Sequence, residues 1–206
     1  MSEAQQRWDR RFAGQDYLFG TAPAAFMTLQ AGVLTPGSLV LAVADGEGRN
    51  SVWLAGQGMR VTAMDSSPVG QAKARALAAR NGVSIDFRLG DVATWDWQAT
   101  AYDAVVAIFV QFAGPDLRAA MFKGFDQAMK PGGLLLLHGY APRQVGYGTG
   151  GPAQSENMYE LPMLHTAFAG YDVLHEVDHD AVIDEGTGHS GCSALIDFVA
   201  RKPKGI

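Results

Sequence analysis

Two rhythms of apolar and polar residues alternate along the chain: short unbroken apolar runs, and segments whose apolar residues recur every three or four positions. The runs at 39–43 (LVLAV), 59–64, 84–89, 101–109 (AYDAVVAIF) and 134–138 predict five strands, the first and fourth apolar enough to be buried on both faces. Helices are expected over 3–13, 23–31, 50–57, 68–81 and from Pro115 onward. Ser67-Pro68 supplies an N-cap and a first helical residue, with Val69, Ala72, Ala76 and Leu77 expected as the inner stripe. Leu117, Met121, Phe125 and Ala128 form the inner stripe of the helix from Pro115, and Lys130-Pro131-Gly132-Gly133 reads as a turn. Strands alternating with helices of this length predict an α/β fold, a doubly wound and mostly parallel sheet with helices on both faces.

After Tyr140 the rhythm changes. Residues 141–157 are rich in glycine and proline and predict a functional or mobile loop, followed by a helix over 158–169. Two further strands, 171–183 and 193–200, are joined by DEGTGHSG, so the sheet is expected to end in an antiparallel hairpin.

The length of 206 residues suits one domain, which divides into an N-terminal helical cap or lid (1–35), a ligand-binding half (36–140) and a substrate-side loop, helix and hairpin (141–206). No window approaches the roughly 18 unbroken apolar residues of a membrane span, and MSEAQQRWDRRFAG lacks the apolar core of a secretion signal. A cytoplasmic location is therefore expected. One cysteine, Cys192, excludes an internal disulfide and a cysteine zinc cluster, and no metal site is expected. The net charge of −5, with basic residues clustered only at Arg201, Lys202 and Lys204, disfavours a nucleic-acid partner.

The chemistry concentrates at strand ends, where open α/β sheets bind ligands. LVLAVADGEGRN runs from a strand through a glycine turn into a helix, an arrangement whose unpaired backbone N–H groups suit a nucleotide-sized ligand. Asp65 follows Gly46 by 19 positions, close to the offset of roughly 20 at which a strand-end carboxylate meets ribose hydroxyls. Gly90-Asp91-Val92 adds a carboxylate suited to an amino-purine edge.

These motifs, with the YDAVVAIF strand and the KPGG turn, resemble a class I S-adenosylmethionine-dependent methyltransferase from about Trp8 to Lys202. GEGRN, WDRRF, YLFG and GYGTGGP are similar to the bacterial tellurite-resistance and thiopurine-type small-molecule enzymes. The resemblance implies a Rossmann-like, seven-stranded methyltransferase fold and S-adenosylmethionine as cofactor. It implies that Ala44, Asp45 and Gly46 line the methionine end and that Asp65 binds the ribose. It places Ser66 at the adenosine edge, Asp91 and Val92 against adenine, and Ile108 and Phe109 under the sulfonium. Arg49 and Asn50 begin the helix after the loop and join this cofactor set. The family's acidic residue and glycine are replaced here by Ala42 and Ala44, so Asp45 is expected to meet the methionine ammonium; its other reading is a helix cap. Arg49 at a helix start opposes the dipole and calls for a carboxylate, from a ligand or from within, with Glu47 as the nearest.

Methyl transfer from a sulfonium is an in-line displacement that mainly needs positioning and exclusion of water. The acceptor is expected to be a small soluble thiol, amine, hydroxyl or metalloid oxyanion. Tyr17, Gln111 and His189 are the catalytic candidates, with His138, Tyr140 and Tyr147 also near the strand ends. Each has a plainer reading: Tyr17 as packing of the cap, Gln111 as a backbone hydrogen-bonder, His138 as a core histidine, His189 as a turn residue. Trp95 and Trp97 are expected to pack, His165 to be at the surface, and Cys192 to be inert. Two other functions fit the glycine loop and Asp65: an NAD-dependent oxidoreductase, against which the third fingerprint glycine falls on Ser51, and a non-catalytic S-adenosylmethionine-binding protein.

Overall fold

The computed structural model describes residues 2–97 and 99–205. They separate into two compact units, 2–95 with 185–188, and 96–184 with 189–205, which run across the three segments expected from the sequence.

In the first unit the elements are α1 (Glu3–Phe12), α2 (Ala25–Leu29), β1 (Leu39–Val43), α3 (Arg49–Gly56), β2 (Arg60–Asp65), α4 (Pro68–Arg80) and β3 (Asp86–Leu89). β1 pairs in parallel with β2, Leu39 opposite Arg60, and β2 in parallel with β3. Val40, Leu41, Val43, Leu54 and Met64 are each at most 2% exposed, and burial of such side chains is worth about 1.5–3 kcal/mol apiece. The Ser67 hydroxyl accepts the Gly70 amide and caps α4 as the Ser-Pro signal predicts.

The expected inner stripe of α4 is corrected. Gly70, Gln71, Ala74, Leu77 and Ala78 face inward, while Ala72 and Ala76 are exposed and Val69 is half-buried. The cause is a close approach of backbones. A Cβ on Gly48 would lie 2.7 Å from that of Ala74, and one on Gly70 would lie 2.9 Å from Phe12. Small residues are selected on that face by space, which hydrophobic periodicity does not register.

The second unit holds β4 (Tyr102–Ile108), α5 (Pro115–Ala128), β5 (Met129–Tyr140), α6 (Leu161–Ala167), β6 (Asp172–Asp184) and β7 (Ser190–Arg201). β4 and β5 are parallel, and β7 is antiparallel to both β5 and β6. The strand order is β3-β2-β1-β4-β5-β7-β6, a seven-stranded mixed sheet ending in the expected antiparallel hairpin. The KPGG segment is an irregular start to β5, with a register break between Tyr102 and Ala104, and not a separate turn. α6 starts at Leu161, not at 158, because Pro162 belongs in a helix's first turn. Met158 is instead extended and buried with Tyr140, Ile183 and Leu195. Trp97 lies edge-on to Phe125 and closes over Gly124, while Trp95 covers Gly90, so both indoles pack as expected.

Among the described residues no helix is long and apolar enough to cross a membrane, and no group of histidine, cysteine and carboxylate side chains is placed to hold a metal ion.

Candidate active site

The loop between β1 and α3 turns through three positive φ angles, at Ala44 (49°), Gly46 (61°) and Gly48 (90°). Left-handed backbone costs a residue with a Cβ roughly 1–2 kcal/mol, so Ala44 carries strain where the resembled family has glycine. Ala44→Gly is expected to raise stability by about 1 kcal/mol, since relief of that strain outweighs glycine's greater unfolded entropy. Thermal unfolding measures this, and an unchanged or lowered midpoint would remove the strain at Ala44.

Two carboxylates hold the loop. Asp65, at the end of β2, accepts the Gly46 amide at 2.8 Å and the Ser67 amide at 2.7 Å, tying the loop to the start of α4. Asp45 accepts the Ser51 hydroxyl at 2.5 Å and the Ser51 amide at 3.3 Å, so its carboxylate caps α3 one residue further in than Asn50. Burial pushes both carboxyls up, each to about 6, against the lowering effect of these hydrogen bonds. Buried carboxylates with raised pKa gain from a ligand that brings a cation or hydroxyl donors. The methionine ammonium and ribose diol of S-adenosylmethionine have that chemistry, and the donor set fits it.

The rest of the expected cofactor set divides. Ser66 is half-buried beside Asp65, Val92 is buried, and Asp91 accepts the Ala93 amide and the Ser2 hydroxyl. Asn50 accepts the Ala24 amide through Oδ1 at 3.0 Å. Arg49 pairs with Glu185 at 2.8 Å, not with Glu47, which is bound to Lys73 at 2.7 Å. Arg49 and Glu185 lie 136 positions apart, and chain spacing carries no sign of their contact. Tyr17 lies against α4, donating to the Lys73 carbonyl and accepting from Arg80. Its hydroxyl thereby belongs to the packing of the cap. Phe12, 2% exposed, covers Gly46, where a Cβ would approach the ring to 3.2 Å.

In the second unit the acceptor-side candidates gather around Phe109, itself at φ 55°. Its ring centroid lies 4.0 Å from His189, 4.8 Å from His138 and 4.8 Å from Tyr140. A bulky residue in left-handed backbone costs of order 1–3 kcal/mol and collects at functional sites. Ile108, half-buried, closes β4 just before it. Gln111 is brought beside the cluster, but its side chain donates to the Tyr140 carbonyl and accepts the Tyr140 amide, which satisfies its backbone-bonding reading. His138 is a core histidine, 3% exposed, with Nδ1 2.6 Å from Asp197. Burial alone would raise the Asp197 carboxyl, but the hydrogen bond from His138 and the charges of His138 and His179 bring it below the usual range. Asp197 lies outside the candidates the sequence offers, although it is the one charge inside the apolar stretch 193–200. Tyr147 is turned outward to Asp180, and His165 binds Glu176 at the surface.

Residues 40–133 match the family model described as a methyltransferase domain. A search of curated proteins finds no match. Among solved structures, one titled for the conversion of a disulfide bond into a thioacetal group during echinomycin biosynthesis is 20% identical, covers 99% of this chain and 93% of its own, and superposes with TM-score 0.77. The N-methyltransferase NodS of Bradyrhizobium japonicum, in complex with S-adenosylhomocysteine, is 14% identical over 98% of this chain and 100% of its own, with TM-score 0.75. TehB of Haemophilus influenzae is 17% identical, covering 96% of this chain and 66% of its own, with TM-score 0.70. The fold is therefore the seven-stranded α/β methyltransferase fold. The methyltransferase-domain match over residues 40–133 lies within that fold.

Proposed function

We propose that the protein moves the methyl group of S-adenosylmethionine to a small soluble acceptor, a thiol, amine, hydroxyl or metalloid oxyanion, as the tellurite-resistance and thiopurine-type enzymes it resembles do. The observation that carries this reading is the closely packed ring cluster of Phe109, His138, Tyr140 and His189, held by a strained backbone at Phe109. A wall of rings packed edge-on and tilted suits a small polarisable group and excludes water from the displacement. The acceptor's lone pair attacks the methyl carbon, the carbon–sulfur bond breaks, and the sulfonium leaves as the neutral thioether, S-adenosylhomocysteine. A protonated acceptor also sheds its proton. His189, 4.0 Å from the Phe109 ring, and His138, fixed by Asp197, are the imidazoles of that cluster.

In this reading the cofactor's ammonium lies at Asp45, its ribose at Asp65 and Ser66, its adenine at Asp91 and Val92, and its sulfonium above Ile108 and Phe109. The acidic balance of the chain supports a partner other than nucleic acid. The test is release of S-adenosylhomocysteine from the purified protein with S-adenosylmethionine and a panel of thiols, amines, phenols and metalloid oxyanions. Turnover of at least one small acceptor is expected. Cofactor binding without turnover of any of them, or transfer confined to RNA or protein, would overturn the reading.

A further inference from the structure

A second feature of the first unit lies outside the cofactor contacts themselves. Two buried carboxylates repeat one arrangement on the segment 17–25, between α1 and α2. Glu47, 3% exposed, accepts the Leu18 amide at 2.7 Å with one oxygen and binds Lys73 at 2.7 Å with the other. Glu185, with its side chain 9% exposed, accepts the Ala25 amide at 3.0 Å with one oxygen and pairs with Arg49 at 2.8 Å with the other. Between these points the Ala24 amide bonds Asn50, and the Leu18 carbonyl accepts the Gly188 amide at 3.0 Å. Gly186 and Gly188 admit the segment because any Cβ there would meet its backbone at 2.5 Å or the Phe19 ring at 2.3 Å.

Glu47 belongs to the glycine loop itself, and Arg49 and Asn50 to the first turn of α3. The segment is thus fastened to the same residues that shape the cofactor loop. Burying two ion pairs is a poor way to gain stability, since desolvation offsets much of the attraction. A carboxylate that accepts a backbone amide from one segment while pairing a cation on another makes the position of each depend on the other.

We propose that Glu47 and Glu185 are positioning residues that clamp the segment 17–25 as a strap over the start of α3, and that this clamp sets how fast the cofactor leaves. The inference rests on the assignment of the Ala44–Asn50 loop to the cofactor's methionine side. Glu185 acts through Arg49 and the Ala25 amide.

The test uses the full chain with S-adenosylhomocysteine as probe, reading its dissociation rate by stopped flow and the exchange of the Leu18 and Ala25 amides. Glu185→Ala is expected to speed dissociation by about tenfold or more, the equivalent of one lost charged hydrogen bond, and to accelerate both amides. Glu185→Gln keeps an acceptor for the Ala25 amide and loses the charge, so a rise of about threefold is expected. If Glu185→Ala does not fold, Glu185→Gln and Arg49→Lys carry the test. A dissociation rate within about twofold of wild type, with only the melting temperature lowered, would make the carboxylate merely structural and overturn the proposal. Unchanged amide exchange in the variants would overturn it as well. Failure of the wild type to bind the probe would overturn the cofactor assignment instead, and amide exchange in the free protein would still report whether the carboxylates hold the strap.

Discussion

Asp65→Ala is expected to weaken binding of S-adenosylhomocysteine by at least about a hundredfold. The carboxylate is 7% exposed and accepts two backbone amides, from Gly46 in the loop and Ser67 at the start of α4. Its removal leaves two inward amides without their acceptor, at about 1–3 kcal/mol each, and unties the loop from the start of α4. On the proposed assignment it also deletes the acceptor of the ribose hydroxyls. A loss of about 2.7 kcal/mol in binding already corresponds to a hundredfold in Kd, so the estimate needs only part of these costs. Asp65→Asn, which keeps one accepting oxygen, falls between wild type and alanine. Titration calorimetry measures both, and a change in Kd below about threefold for Asp65→Ala would take the residue out of the cofactor site.

The same carboxylates give a pH signature whose sign is fixed by their raised pKa. An acid whose folded pKa lies near 6, as for Asp45 and Asp65, favours its protonated form when folded. The free protein therefore has the stability from this source in full below the unfolded value near 4 and loses it as pH rises through about 6. On the proposed assignment the cofactor's ammonium and hydroxyls meet these carboxylates and favour the ionised form. Affinity for S-adenosylhomocysteine is accordingly expected to rise about 10- to 100-fold between pH 5 and pH 7, and Asp45→Asn to flatten part of that rise.

What the sequence made legible follows the range of the interactions. β1, the Ser67-Pro68 cap and Asp65 at the end of β2 are local signals, written within a few residues, and they stand where the patterns place them. The inner face of α4 is not written in the hydrophobic rhythm, because alanine and glycine contribute little to it; what selects them is the 2.7 Å approach at Gly48 and Ala74. The helix-start position of Arg49 calls for a carboxylate, but not for Glu185, which is 136 positions away. Tyr17 and Gln111 have the chemistry of site residues, and their hydroxyl and amide are used up in hydrogen bonds to α4 and to Tyr140, partners separated from them by 56 and 29 positions. Side-chain chemistry can be read from one residue; its availability depends on a second, which the fold supplies.

Asp197 shows the same limit with the larger consequence for stability. It lies in β7 between apolar neighbours, 6% exposed, in register with His138 on β5 and Val177 on β6. His138 approaches at 2.6 Å, His179 at 3.2 Å and His175 at 3.8 Å. Asp197→Leu is expected to cost about 3–5 kcal/mol, because it leaves the polar nitrogen of His138 buried beside a methyl group. For a chain of 206 residues that lowers the melting temperature by roughly 10 °C. The pair with His138→Leu is expected to recover much of the loss, since replacing both members of a buried pair removes the orphan as well as the attraction. The pH dependence has the opposite sign from that of Asp45 and Asp65: the folded pKa of Asp197 is depressed. Its stabilisation is present above the unfolded value near 4 and is lost as pH falls through the folded value. Thermal unfolding from pH 3 to pH 7 should therefore show the wild type converging on Asp197→Leu in acid. Equal stability of the two proteins at pH 7 would mean that the carboxylate contributes nothing beyond its own burial. If the double variant regains stability yet no longer releases S-adenosylhomocysteine with an acceptor that the wild type turns over, the His138–Asp197 pair serves the reaction proposed for the ring cluster, and not only the strand that carries it.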